Sequence, residues 1–357
     1  MIARYRTLVV ATAYLTFIVV VVGAYVRLMD AGLGCPDWPG CYGEVTPLHA
    51  IDKIASAIEA QGGEHGPVSL RKAWKEMVHR YLAGTLGLLI LAITLTAWRR
   101  RRVLGSPALP TALLALVIFQ AALGMWTVTL LLKPAIVTLH LLGGMATLAL
   151  IAWLGLRVVR PRHLATLGSL STSREPGDAS EGNRWFPSET SFPLGRLRPW
   201  AALGLAIVVL QIALGGWVSS NYAALACVDL PTCHGEWMPT MDFRHGFQLV
   251  RDLGRTADGG HLAYEALTAI HWTHRVGALV TFVYVGALAI ALMRLPRMAR
   301  HGAALAAVLA VQVGLGIANV AAGLPLAVAV AHNAVAAILL VSLVVINFDL
   351  SRVSLPS

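Results

Sequence analysis

Residues Trp74-Lys75-Glu76-Met77-Val78-His79-Arg80-Tyr81-Leu82-Ala83-Gly84 place a carboxylate, an imidazole and a guanidinium close together, and an apolar run continues from them to Trp98. A charge at a bilayer centre costs about 2.5–3.5 kcal/mol by insertion scales, so ionisable groups at the head of an apolar helix are seldom idle. Helical spacing puts Glu76 and His79, at i and i+3, on one face. That face needs something opposite it.

The surrounding chain says what kind of helix this is. Of 357 residues, 57% are hydrophobic and 13% charged, too little polar surface for a soluble protein of this length. Eight windows meet the length of about 20 apolar residues that a spanning helix needs: roughly 8–29, 76–98, 110–131, 135–156, 200–220, 266–293, 303–323 and 327–348. The net charge of +10 is distributed as topology rather than as a nucleic-acid surface. Arg4 and Arg6 precede the first span, Arg99 to Arg102 follow the second, and Arg157, Arg160 and Arg162 follow the fourth. Arg294, Arg297 and Arg300 follow the sixth, and Arg352 the eighth. All fall on one side of an even-numbered bundle, which predicts both termini in the cytoplasm. The first span is too long for a signal-peptide core.

A shift of 192 residues lays Gly23 on Gly215, Val26 on Val218, Cys35 on Cys227, Pro39 on Pro231 and Cys41 on Cys233, and also Gln120 on Gln312, Gly124 on Gly316 and His140 on His332. Around the second span the shift becomes 195, laying His79-Arg80 on His274-Arg275. The expected fold is therefore all-α and membrane-integral: two tandem four-helix bundles related by a pseudo-two-fold axis along the membrane normal. The first half covers 1–160 and the second 200–357. Between them, 161–199 has the Ser/Gly/Pro-rich composition of a cytoplasmic linker.

The four cysteines, Cys35, Cys41, Cys227 and Cys233, fall in outer loops, where disulfides form. Cys35–Cys41 with Cys227–Cys233 is the most economical pairing, although sequence leaves all three open. Zinc is disfavoured by the C-x5-C spacing. The long outer loops, 30–74 and 221–265, roof the two halves, and the first carries an amphipathic segment around Leu48 to Ala60 that Gly62-Gly63 and Gly66-Pro67 end.

His79, His140, His274 and His332 each stand near the outer start of an even-numbered span, at a similar depth. His79 can face His140, and His274 can face His332. Two imidazoles from opposed helices in an apolar bundle are the usual way to hold a six-coordinate haem. The plain alternative is a hydrogen bond from each histidine to a neighbouring helix. Arg80 and Arg275 can pair with haem propionates or snorkel to headgroups. Glu76 has no carboxylate counterpart, since His271 stands at its repeat position; a carboxylate by a haem edge can take a proton or stabilise positive charge, or simply pair with Arg80 or Lys72. His271 is a spare donor or an alternative ligand. The other histidines (His49, His65, His163, His234, His245, His261 and His301) read as solvated. Gln120 and Gln312 read as interhelical hydrogen-bonding groups, and Trp126 and Trp217 as an aromatic belt or haem packing. Asp30, Asp37 and Trp38 acquire no role from sequence.

These residues resemble the haem A synthases of aerobic bacteria and mitochondria. The resemblance is carried by Gly32-Leu33-Gly34-Cys35-Pro36-Asp37-Trp38-Pro39-Gly40-Cys41-Tyr42-Gly43, by Trp74 to Gly84, and by the duplicated His-Arg and His; it runs from the first span to the eighth and omits the linker. It implies oxidation of a methyl group of haem O to the formyl group of haem A, for terminal oxidases. It implies haem b between axial ligands His274 and His332, substrate haem O at His79 and His140, and Glu76 as the catalytic acid. The first cysteine pair matches the family's outer-loop disulfide. Implied partners are a haem O synthase, an electron-transfer protein and membrane lipid, in a bacterial inner membrane with the haem sites toward the outer side. A homo-oligomer is left open. His271 matches no family role, and the linker is longer than the family needs.

Methyl oxidation rests on resemblance, not on the residues. A di-haem electron carrier linked to quinone is the main competing reading, disfavoured by a carboxylate in only one half. A quinone-linked disulfide oxidoreductase would leave the four histidines idle. A transporter would call for broken helices, and none stands out.

Overall fold

The computed structural model describes residues 2–61, 63, 66, 68–160 and 196–352. Among these every regular element is a helix, with no strand. Eight helices are long and apolar enough to cross a membrane, so the protein is a multi-pass membrane protein. In chain order the elements are α1 (Ile2–Leu28), α2 (Ile51–Ala60), α3 (Leu70–Arg99), α4 (Arg101–Leu104), α5 (Ala108–Thr129), α6 (Pro134–Val159), α7 (Leu197–Ser220), α8 (Phe243–Gly246), α9 (Tyr264–Met293), α10 (Ala299–Ala321) and α11 (Leu326–Leu350). Each of the eight expected windows falls on a helix, those at 8–29, 110–131 and 303–323 running one or two residues past its end. The linker expected over 161–199 falls outside the described residues as far as 195, as do His65 and His163.

Local chemistry sets the boundaries. α3 begins before its apolar window because Ser69 caps it, its hydroxyl accepting the amide of Lys72 at 3.2 Å. Trp74 to Gly84 are therefore helical throughout. α6 opens with Pro134 in its first turn, where a missing N–H costs nothing. α2 starts later than Leu48 because residues 47–50 form a turn, with Ala50 N–H on the Pro47 carbonyl.

α1 and α5 each pack against α3 and α6; α7 and α10 each pack against α9 and α11. Val9, Ile90, Ile93, Leu113 and Ile151 fill the first set, and Leu288, Leu305, Leu340 and Leu343 the second, where Met145 and Leu148 of α6 join them. Contacts of α6 with α7 and α11, and of α1 with α11, join the sets. Lipid offers no hydrophobic drive between helices, so close packing of this kind holds them together.

The outer turns repeat in backbone detail. Positive-φ residues come as Asp30 and Tyr222, Tyr42 and His234, Gly43 and Gly235, and Leu132 and Leu324. The members of each pair stand 192 residues apart, the shift found in the sequence.

Candidate functional site

Beneath each outer loop the side chains form a clasp. The sulfurs of Cys35 and Cys41 are bonded, as are those of Cys227 and Cys233. On α3, Glu76 Oε2 accepts the backbone N–H of Cys35 at 2.9 Å, and Glu76 Oε1 accepts from Arg80 Nη2 at 2.5 Å. Arg80 Nη1 donates to the carbonyls of Asp37 (2.8 Å), Pro39 (3.3 Å) and Gly40 (2.5 Å). The ion pair weighed as the plain reading of Glu76 is thus present, with Arg80; Lys72 instead reaches the Gly66 carbonyl at 3.3 Å.

On α9 the same scaffold carries a different group. His271 Nδ1 accepts the N–H of Cys227 at 3.1 Å, and Arg275 donates to the carbonyls of Asp229 (2.8 Å), Thr232 (2.9 Å) and Cys227 (2.6 Å). Glu76 and His271 are each 4% exposed. His271, read from sequence as a spare donor or an alternative ligand at the repeat position of Glu76, takes the same place in its loop as Glu76. Both guanidinium groups are engaged by loop carbonyls, which the propionate and headgroup readings of Arg80 and Arg275 did not foresee.

Asp37 and Asp229 close the loops from within. Asp37 accepts the amides of Tyr42 and Gly43 at 2.6 and 2.7 Å; Asp229 accepts those of His234 and Gly235 at 2.7 and 2.9 Å and the Thr232 hydroxyl at 2.6 Å. The Thr232 hydroxyl, then the Gly235 amide, hold the Asp229 carboxyl well below the usual carboxylate range. The signal for this role was in the sequence, because Asp229 follows Asp37 by 192.

Deeper in, each of the four duplicated histidines lies against a glycine of a neighbouring helix. A Cβ on Gly23 would stand 2.9 Å from His79 Cε1, on Gly215 3.0 Å from His274 Cε1, on Gly124 3.3 Å from His140 Cε1 and on Gly316 3.2 Å from His332 Cε1. These glycines leave room that any side chain would take. His79 lies within electrostatic reach of His140, and His274 of His332. The amides expected to bond between helices do so to the histidines themselves. With its nitrogen turned to His140, Gln120 donates to the His140 carbonyl at 3.0 Å and stands 2.9 Å from Nδ1; Gln312 Nε2 lies 3.3 Å from His332 Nε2. Gln211, not singled out from sequence, donates to the His274 carbonyl at 3.0 Å, with Nδ1 at the same distance. Its first-half counterpart is Val19, so the repeat gave no pointer to it.

Buried polar atoms are left over here. Nδ1 of His79 and of His332 has no partner among the described residues. Nor do three His, Cys, Asp or Glu side chains converge anywhere among them. A histidine pair alone supplies two donors, so it suits a metal whose remaining donors come with a macrocycle. Trp217 is no belt residue: it is 5% exposed, and its indole N–H donates to the Gly246 carbonyl at 2.9 Å. Trp126, 37% exposed, keeps that reading.

The family model for "Cytochrome oxidase assembly protein" (COX15-CtaA) matches residues 6–344. The chain belongs to that family. Similar members include a protein named "Heme A synthase" from Shewanella oneidensis, 40% identical over 95% of this chain and 94% of the relative. Proteins of the same name from Sphingopyxis alaskensis (30% identical; 92% and 87%) and Rhizorhabdus wittichii (29% identical; 93% and 89%) match nearly as much. The match to the cytochrome oxidase assembly family spans both loop clasps and all four glycine-backed histidines.

Proposed function

We propose that this protein is a haem A synthase, an oxidoreductase that converts a methyl group of haem O to the formyl group of haem A in oxidase assembly. The observation that carries the reading is the pair of glycine-backed histidine pairs, one in each set of four helices and only one of them beneath a carboxylate. Resemblance over nearly the whole chain supports it.

In this reading residues 1–160 form the substrate half and 200–357 the cofactor half, joined by the 161–199 linker. A pseudo-two-fold axis along the membrane normal relates them. Two contacts support the axis. Arg27 Nη2 donates to the Ser219 carbonyl at 2.6 Å, and Tyr222 Oη donates to Asp30 Oδ1 at 2.8 Å, each across 192 residues. Only positions on a two-fold axis touch their own counterparts. Both termini lie in the cytoplasm and the histidines toward the outer side of a bacterial inner membrane, a placement supported by the arginines at one end of the spans.

His79 and His140 hold the substrate haem. His274 and His332 would hold a haem b, which would supply electron transfer when bound. Gln211 and Gln120 stand at Nδ1 of His274 and His140; were a metal held at Nε2, an amide turned to present its oxygen would accept Nδ1–H and hold the imidazole in the ligating tautomer. Glu76 is the catalytic group. One turn outward of His79, it holds or releases a proton as the methyl carbon is oxidised. Arg80 fixes its orientation, and Arg275 does the same structural work in the cofactor half. A haem O synthase delivers the substrate, and an electron-transfer partner accepts its electrons.

Pigment extraction from the purified protein tests the proposal. Haem A, or haem O carrying a hydroxylated methyl, is expected alongside haem b. Haem b alone, with haem O supplied, would favour a di-haem electron carrier.

A further inference from the structure

If the histidine pairs hold haems, as proposed above, their propionates need cations. The forks of Arg80 and Arg275 are taken up by loop carbonyls. Two other cations are less fully engaged, and they stand at matching places.

Lys75 precedes His79 by four residues, so it shares that face of α3 and lies about one turn, ~6 Å, further out. Its Nζ is 5.5 Å from the centroid of the Tyr25 ring, and among the described residues it joins no ion pair. The matching position on α9 is Ile270, which is apolar and 1% exposed. The cation is gone from the helix there, but not from the site. Trp217, 192 residues after Tyr25, has the Arg251 guanidinium 5.7 Å from its ring centroid. Trp217 packs with Ile270 and Leu267, which lie one and two turns outward of His274 on its own face. Each aromatic ring therefore carries a cation at the outer edge of a histidine pair.

Arg251 is the stronger case. It is 4% exposed, and its contacts are uncharged: the Asn221 side-chain oxygen and, at 3.5 and 3.4 Å, the carbonyls of Asp252 and Arg255. Nε has no partner. Among the described residues no carboxylate comes within 4.0 Å; that of Asp252 pairs with Lys133 at 3.2 Å. A buried guanidinium without a counter-charge is unfavourable unless an anion joins it. Burial also weakens its hold on its own proton. Guanidinium and ammonium groups both bind carboxylates well.

The geometry points to Arg251 as the propionate anchor of the haem held by His274 and His332, and to Lys75 as that of the haem held by His79 and His140.

The test is reconstitution of full-length apoprotein with haemin and with haemin dimethyl ester, read by absorbance titration. A His79→Ala/His140→Ala background isolates the cofactor site, and a His274→Ala/His332→Ala background the substrate site. Each site should prefer the free acid by about tenfold, the value of one charge-assisted hydrogen bond. Arg251→Met in the first background and Lys75→Met in the second should bring that ratio close to one, while Arg251→Lys keeps most of it. A ratio unchanged by Arg251→Met and Lys75→Met would overturn the inference while leaving the histidine sites standing. Should Arg251→Met not accumulate, Arg251→Gln, which retains the hydrogen bond to Asn221, decides by the same ratio. Binding of neither haemin in either background would overturn the proposed function itself.

Discussion

Glu76 and His271 do one architectural task with different chemistry, which allows that task to be separated from catalysis. Both accept the amide of the first cysteine in their loop. Glu76→His should therefore keep the clasp, the Cys35–Cys41 loop and haem binding, while haem A formation falls by about a hundredfold or more, the usual contribution of a positioned acid or base. Glu76→Gln should behave alike. Haem A measured in extracts checks both, and wild-type yield from Glu76→His would reduce Glu76 to a loop anchor. Gln211 permits a second comparison. Removing a partner of a metal-bound histidine typically costs tenfold to a hundredfold in affinity, so Gln211→Leu should lower haem b retention by about that factor, read as the haem-to-protein ratio after purification. Val19 shows that the first set of helices folds without such an amide. At this scale, what the sequence revealed depended on duplication. Four histidines stood out because chance seldom repeats His at shifts of 192 and 195 residues, and their backing glycines repeated with them. Gln211 has no twin and did not stand out; His271 stood out as the repeat partner of Glu76, but because it differs in type its loop-anchoring role could not be read.

The outer loops are held by interior hydrogen bonds more than by their own apolar content, and this makes one of them sensitive to acid. Asp229 binds two amides and a hydroxyl as the anion, and its carboxyl is held below the usual range by the Thr232 hydroxyl and the Gly235 amide. A group whose pKa is depressed on folding stabilises the fold above its unfolded value, about 3.9, and that contribution is lost as pH falls through the folded value. Reduction of Cys227–Cys233 by a water-soluble phosphine should accordingly be slow from neutral pH to below pH 4 and accelerate only in stronger acid. In Asp229→Asn it should be fast already at neutral pH, since an amide offers one acceptor oxygen in place of two. Equal rates in the two proteins at neutral pH would deny Asp229 this role. The helix ends were less readable than the spans because polar caps decide them. Hydropathy found the apolar part of α3, but Ser69 sets its start. The clasp residues themselves, Glu76 and Arg80 on α3 and His271 and Arg275 on α9, lie within the apolar windows, near the outer start of each.

Across the whole molecule, the two sets of four helices meet along a seam that the repeat alone does not specify. Lys133 pairs with Asp252 at 3.2 Å and Arg160 with Asp349 at 2.7 Å, and the Thr138 and Ser220 hydroxyls meet at 3.1 Å. None of these joins repeat-equivalent positions, so none could be read by shifting the sequence on itself. Arg27 with Ser219 and Asp30 with Tyr222 do join equivalents, and Arg27 also lies 4.1 Å from the Tyr222 ring centroid. Self-equivalent contacts can form at an axis but not away from it, so they make the proposed pseudo-two-fold directly testable. Asp30→Cys with Tyr222→Cys should cross-link within one chain under a short dithiol-specific reagent, as should Arg27→Cys with Ser219→Cys. Cleavage at a protease site engineered between 161 and 195 would then leave the fragments joined on a non-reducing gel; the native disulfides lie within each fragment and cannot join them. A control pair at Tyr14 and Leu279, both exposed on helices that are not principal packing partners, should separate after the same cleavage. Separation of the 30–222 and 27–219 pairs as well would show that the halves are not related about an axis at this point.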